Sequence, residues 1–363
     1  MTSKARPRHK ALWQKLHRWL GFSWGLLYLL MGLSGACLVF KDELLRVQYP
    51  SLAQPLPDAL ALPELMARFE ARYPGFTLVR LPKEGQPWFL VQEGGLRIHY
   101  LDGQGRELLT RGRDGLALLE DFHHTLLLGP AGEWVLGAVA VGTLALLVMG
   151  LYLWWPRPGY WRQGLSLAWS SGGIRRWFDV HKVAGAISAI ALLYSAGTGL
   201  MMTMDNTPQR LFTVFDRRLP PAPPKALPAP AGARRPWAEL LKTAQAAIPD
   251  GRMTLLSRPL SPDRPLLVRM RVPGEWHPNG RGGVGLNPAT GELVYRMDVR
   301  EQEAGARAAY AMYPLHAGKV GGAAMSALLM VAGLTPALMF FSGTKLWLAR
   351  RRRLSSLPMK NAA

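Results

Sequence analysis

The chain has 363 residues, a mean hydropathy of +0.03 and a formal net charge of +20. Its 49% of hydrophobic residues fall unevenly, in long apolar runs separated by polar, proline-rich stretches, which marks a membrane protein with water-exposed parts. A single cysteine, Cys37, excludes a disulfide framework, a four-cysteine zinc site and an iron–sulfur cluster ligated by this chain alone.

The excess of positive charge would suggest nucleic acid in a soluble protein, but its location argues for membrane flanks and against that partner. Lys4, Arg6, Arg8, Lys10, Lys15 and Arg18 precede the first apolar run; Arg157, Arg162, Arg175, Arg176 and Lys182 lie between the second and third; Lys345, Arg350, Arg351, Arg352 and Arg353 close the fourth. Basic loops mark the cytoplasmic side, so the N-terminus, the connection at 156–180 and the C-terminus are expected in the cytoplasm.

The first segment, 16–40, opens with Leu16-His17-Arg18-Trp19-Leu20-Gly21 after a cytoplasmic tail at 1–15. Trp13, Trp19 and Trp24 sit where an interfacial aromatic belt is expected. Gly21, Gly25, Gly32 and Gly35 recur at helical spacing and admit close approach of another helix or of a flat ligand. Leu33-Ser34-Gly35-Ala36-Cys37 partly matches a lipoprotein cleavage box, but the spacing is poor and the segment is expected to be retained.

Residues 41–120 form a polar module: a helix at 63–70 with Pro63 in its first turn, then strands at 76–80, 88–92, 96–100 and 106–109. Residues 121–155 hold His123 and His124, then a second membrane run ending in Trp154-Trp155-Pro156-Arg157. The third run, 181–204, follows Arg175-Arg176-Trp177-Phe178-Asp179-Val180-His181-Lys182 and contains no charge after Lys182; about 20 such residues cross a hydrocarbon core of about 30 Å. Residues 205–312 start with a Pro/Ala-rich linker, including Pro220, Pro221, Pro223, Pro224, Pro228 and Pro230. A helix at 237–247 follows, then strands at 252–257, 266–272, 284–286 and 293–296. The fourth run, 313–348, opens with Tyr313-Pro314-Leu315-His316, and 349–363 is a second cytoplasmic tail.

The halves match. His17 and His181 are each followed by glycines four and eighteen residues on, Gly21 and Gly35, Gly185 and Gly199. His123 precedes Gly150-Leu151-Tyr152-Leu153-Trp154 by twenty-seven residues, and His316 precedes Gly343-Thr344-Lys345-Leu346-Trp347 by twenty-seven. Each half is helix, soluble module, helix. The expected orientation puts His17 and His181 near the cytoplasmic face and His123, or His124, with His316 near the outer face.

Histidine pairs between helices suit bis-imidazole ligation of haem, with Arg18 or Lys182 placed to meet propionates. Zinc wants three or four ligands, and a proton path wants embedded carboxylates that these runs lack. An interfacial histidine also serves simply as a polar anchor; four at matched positions weigh against that reading. His9 and His99 receive no role. Trp276-His277-Pro278-Asn279-Gly280-Arg281-Gly282-Gly283 reads as a surface turn, with ligand contact as the alternative.

Leu16-His17-Arg18-Trp19-Leu20-Gly21, His123-His124-Thr125-Leu126-Leu127-Leu128-Gly129, Phe178-Asp179-Val180-His181-Lys182, Asn287-Pro288-Ala289-Thr290-Gly291-Glu292 and Tyr313-Pro314-Leu315-His316 together resemble the PepSY-associated transmembrane proteins, also called iron-regulated membrane proteins. The resemblance covers nearly the whole chain. It implies a helical membrane protein with four transmembrane helices and two extracytoplasmic α+β PepSY-like modules, in the bacterial inner membrane. It further implies two b-type haems on His17, His123, His181 and His316, and similarity to ferric-siderophore reductases that release Fe(II) in the periplasm. His124 is an additional candidate for the outer ligand. No nucleotide-binding motif is present between a strand and a helix, so electrons are expected from a quinol or a separate donor protein. Two alternatives remain open: a non-enzymatic membrane protein whose modules bind or inhibit a periplasmic partner, and a haem subunit serving a separate reductase.

Overall fold

The first apolar run does not make one straight helix. Helices α1 (Arg8–Ser23) and α2 (Gly25–Leu38) meet at Trp24 with a 55° bend. Ser23 Oγ donates to the Trp19 carbonyl at 2.9 Å, and glycine follows at position 25. A hydroxyl turned into its own helix next to a glycine bends the helix.

The chain continues with α3 (Lys41–Gln48), α4 (Leu62–Arg72), β1 (Phe76–Arg80), β2 (Phe89–Glu93), β3 (Arg97–Leu101), β4 (Glu107–Arg111) and α5 (Gly115–Thr125). Next come α6 (Pro130–Trp154), the single-turn α7 (Trp161–Gly164), α8 (Ile174–Leu200) and α9 (Trp237–Ala247). The last elements are β5 (Arg252–Ser257), β6 (Leu266–Arg271), β7 (Gly282–Leu286), β8 (Leu293–Met297), α10 (Ala304–His316) and α11 (Gly322–Ser355). The computed structural model describes residues 8–53, 58–94, 97–170, 172–224, 227, 234–259, 261 and 263–355. Lys4, Arg6, Pro55, Pro57, Leu96, Pro228 and Pro230 lie outside the described residues.

Two compact units result: a helical unit from the described residues of Met1–Val39, Leu119–Pro208 and Gly321–Ala363, and a sheet unit from those of Phe40–Leu118 and Gln209–Val320. In the helical unit, α2 packs on α11, α11 on α8, α8 on α6 and α6 on α1. Gly32 and Gly333 bring α2 and α11 into backbone contact: a Cβ at Gly333 would stand 2.6 Å from the Gly32 carbonyl oxygen. Small residues at such a crossing let van der Waals packing hold helices together where lipid offers no hydrophobic drive. By length and composition α6, α8 and α11 are each able to cross a membrane, and the bent α1–α2 pair supplies a fourth span. The chain is a multi-pass membrane protein.

Two expected boundaries differ. The fourth span starts at α11, because Gly318, Gly321 and Gly322 all adopt positive φ and break the chain after α10. Likewise α5 ends at Thr125. Leu126 and Leu127 then adopt φ of 54° and 63°, unusual for leucine, before Gly129 and Pro130 open α6. His123 and His316 therefore stand in the last turns of short helices that precede the membrane spans.

In the sheet unit, the two expected modules are both present and are joined. All eight strands form one antiparallel sheet in the order β4-β3-β2-β1-β5-β6-β7-β8. Val79 of β1 pairs with Leu256 of β5 at the centre, both fully buried. Leu65, Met66 and Phe69 of α4 and Leu240, Leu241 and Ala244 of α9 share one core with Val91, Val268, Met270, Val284 and Leu286. The connections β3–β4 and β7–β8 repeat one device. Asp102 accepts the amides of Gln104 and Arg106 at 2.8 Å each, and Asn287 Oδ1 accepts those of Ala289 and Thr290 at 3.0 and 3.3 Å, with Gly105 and Gly291 at positive φ. His99 of β3 is structural: it is buried, stacks on Tyr73 at 4.3 Å and meets Thr110 at 2.8 Å.

Candidate functional site

His17 of α1 and His181 of α8 come together within the helical unit. Their ring centroids are 6.3 Å apart and the planes lie at 85°. Each ring rests against a glycine of a neighbouring helix. A Cβ at Gly150 of α6 would stand 3.2 Å from His17 Cε1, and one at Gly343 of α11 would stand 3.6 Å from His181 Cε1. These are the two glycines of the twenty-seven-residue match. Gly21 and Gly185, four residues after the histidines, lie against Leu146 and Met339, four residues before those glycines. The duplication thus repeats a three-dimensional arrangement as well as a spacing.

His181 Nδ1 is 2.8 Å from Ser342 Oγ. The serine proton is committed elsewhere, to the Leu338 carbonyl at 2.6 Å. Ser342 Oγ can then only accept, so His181 Nδ1 carries the hydrogen and Nε2 keeps its lone pair. His123 is held in the same manner. Its Nδ1 is 2.9 Å from Ser34 Oγ, which also lies 3.1 Å from the Met31 carbonyl, and a Cβ at Gly35 would stand 3.0 Å from His123 Cε1. Ser34-Gly35 and Ser342-Gly343 are therefore equivalent seats for an imidazole. His17 Nδ1 is buried and meets no side-chain partner, since the residue before Gly150 is Met149, which offers no hydroxyl; the Leu146 backbone is its neighbouring acceptor, as that of Met339 is for His181.

A fixed Nε2 lone pair is what a metal-ligating imidazole presents. The two serines were missed in the sequence, although each immediately precedes a glycine of the duplicated frame. Among the described residues no group of three or more His, Cys, Asp or Glu side chains is placed to hold a metal ion. The profile of the PepSY-associated TM region matches residues 14–350.

The chain belongs to the PepSY-associated transmembrane family.

No curated protein matches the chain. In this PepSY-associated protein, the remaining candidates divide as follows. His124 lies beside His123, centroids 5.9 Å apart, but the serine and glycine seat receives His123. His316 ends α10 in the sheet unit, whereas His123 belongs to the helical unit; their pairing stays an expectation of the duplicated frame. Lys182 is engaged locally, 3.1 Å from Asp179 Oδ1 and donating to the Gln163 and Ser166 carbonyls at 3.3 and 3.2 Å. Asp179 is buried and also receives Arg175 at 3.1 Å, so the Asp179-Val180-His181-Lys182 run anchors the 156–180 connection onto α8.

Outside the helices, His277 is buried rather than set in a surface turn, and packs on Tyr313 with centroids 5.1 Å apart. Burial and the charges of Arg281, Arg269 and Lys83 push its pKa down to about 3, so it is neutral at physiological pH.

Proposed function

We propose that this PepSY-associated membrane protein is a dihaem b-type reductase of the bacterial inner membrane that passes electrons outward to a ferric siderophore or another ferric chelate. The His17–His181 pair is the observation that carries this reading. Two imidazoles that would each bond one metal at about 2 Å, with the ring centre about 1 Å further on, would have centres no more than roughly 6 Å apart. The 6.3 Å separation supports such a pair. So does the Ser342 bond, which leaves His181 Nε2 as the ligating nitrogen. Two histidines, with no further His, Cys, Asp or Glu ligand placed beside them among the described residues, suit a group that brings four ligands of its own better than zinc.

On this reading His17 and His181 hold the inner haem, and His123 and His316 the outer one. Ser34 and Gly35 favour His123 over His124. Bound haem supplies one-electron chemistry at iron. The chain supplies the lone pairs, holds the His181 and His123 rings through serine hydroxyls and keeps the inner rings away from water between apolar helices. A quinol or a separate donor protein provides the electrons, and the sheet unit faces the periplasm.

A pyridine haemochrome assay on detergent-purified protein tests the proposal. About two b-type haems per chain are expected, followed by quinol-dependent formation of Fe(II) from ferric chelates, caught by a ferrous trap. Protein made with ample haem supply that contains none would overturn it. The histidines would then be helix anchors, and the sheet unit a binding module for a protein partner.

A further inference from the structure

The sheet unit carries a cluster of cations that outnumbers the two carboxylates near it, Asp42 and Glu275. On β6, Leu266, Val268 and Met270 point into the core beneath α4 and α9, so Arg269 alternates onto the opposite face. On β7, Val284 and Leu286 point to the core, and Arg281, just before the strand, stands on the same face as Arg269. Lys83, just beyond β1, reaches this region: its Nζ donates to Asn279 Oδ1 at 3.0 Å, two residues before Arg281. Arg80, on β1, adds a fourth positive charge.

None of Lys83, Arg269 and Arg281 forms a salt bridge among the described residues. Arg281 Nε is buried without a hydrogen-bond partner, while the guanidinium lies 5.8 Å from the centre of the Tyr310 ring. Two carboxylates lie near: the Glu275 oxygens are taken by the amides of Arg281 and Val272 at 2.6 and 3.2 Å, and Asp42, on the Lys83 side, is shared with Gln86 and Lys319. Desolvated cations without partners are costly, and a buried donor left unpaired calls for an explanation. The cost is visible: burial pushes the Lys83 amine down to about 8, and burial with the charges of Arg281 and Arg80 holds Arg269 below the ordinary arginine range. His277, neutral beside them, adds an uncharged donor, since its Nδ1 accepts the Asn279 amide at 3.2 Å and its hydrogen is therefore on Nε2.

We propose that Lys83, Arg269 and Arg281 form a binding site for a carboxylate-bearing anion on the face of the sheet opposite α4 and α9. The inference deepens the reductase reading, on which it rests for the choice of ligand. The carboxylate belongs either to a polycarboxylate ferric chelate or to a haem propionate, and guanidinium forks suit both. Chelates without carboxylates gain nothing from the cluster.

The test uses the full-length protein in detergent with gallium citrate, a redox-silent stand-in for ferric citrate, and gallium desferrioxamine B as the control without a free carboxylate. Wild-type protein is expected to bind gallium citrate with an affinity that falls as salt rises. Arg269→Gln and Arg281→Gln should each weaken it tenfold or more, roughly the loss of a charged hydrogen bond, with binding of the control unchanged. Lys83→Gln, at the rim, serves where an arginine variant does not elute as a monodisperse protein. Loss of citrate binding with full haem content assigns the site to the free chelate. Loss of haem per chain in the same variants assigns it to a propionate. Wild-type haem content together with unchanged gallium citrate binding, or with none in the wild type, overturns the site. Because gallium is not reduced, a failure of ferric reduction with binding intact would sink only the reductase reading.

Discussion

His181 and Ser342 are joined by a 2.8 Å hydrogen bond in which the serine accepts. The bond decides which ring nitrogen is free. Ser342→Ala removes the side-chain acceptor of His181 and leaves its N–H only the Met339 carbonyl, and loss of such a supporting partner typically weakens metal binding about 10–100-fold. The variant should purify with less inner haem or with a shifted midpoint potential, and Ser342→Thr should restore both. Wild-type haem content and potential in Ser342→Ala would reduce the serine to a packing residue.

Replacing the histidines themselves should divide them into two sets. His17→Ala and His181→Ala should each remove about one haem and leave the other, and His123→Ala should remove the other. His124→Ala should keep both, because Ser34 and Gly35 seat its neighbour. Haem counts per chain read this directly, and a haem lost in His124→Ala but kept in His123→Ala would reverse the assignment.

The glycines behind the rings set a graded series. A Cβ would stand 3.0 Å from His123 at position 35, 3.2 Å from His17 at position 150 and 3.6 Å from His181 at position 343. Gly343→Ala should therefore be tolerated, Gly150→Ala should be intermediate and Gly35→Ala should disturb its imidazole most. Haem content and thermal denaturation of the three variants test the order; equal losses would mean that the glycines matter for helix packing rather than for the rings.

His277 gives the sheet unit an acid-sensitive point. Its folded pKa is held down to about 3, first by burial and then by Arg281, Arg269, Lys83 and Arg271. The unfolded chain, at the ordinary value of about 6.5, binds the proton more tightly. Its contribution to stability is therefore complete above pH 6.5 and is lost progressively as pH falls toward 3. The protection factors of the β6 and β7 amides, each referred to the intrinsic exchange rate at the same pH, should fall between pH 7 and pH 5, and His277→Gln should flatten that dependence. An unchanged slope in the variant would place the sensitivity elsewhere.

Helices and strands were legible to within a residue or two where the signal is local: the alternation at 76–80 and 252–257, Pro63 opening α4, the apolar run that became α6. The proximity of His17 to His181 was legible because duplication carried the two to equivalent places. Ser34 and Ser342 were not singled out, since a serine in a membrane helix is an ordinary small residue until its hydroxyl is seen to be spent on its own helix. The left-handed turn at Leu126 and Leu127 has no signature either, because leucine does not favour that conformation. Gly318, Gly321 and Gly322, with Lys319 among them, carry the break after α10, but the stretch 313–348 reads as one segment when its apolar content alone is followed. The cation cluster of Lys83, Arg269 and Arg281 needed the joined sheet, which brings residues from both halves side by side.

The pairing of β1 with β5 also sets a delay in the life of the chain. When β1 to β4 have emerged from the ribosome, β1 is the open edge of a four-stranded sheet, with Val79 facing no partner strand. About 140 residues, two membrane spans among them, must be made before β5 arrives. At about 5–20 residues per second that interval lasts roughly 7–28 s. Through it a bare strand edge, the kind that recruits foreign strands, stands exposed. A nascent chain of this design depends either on a chaperone covering that edge or on translation that runs through the second and third spans without pausing.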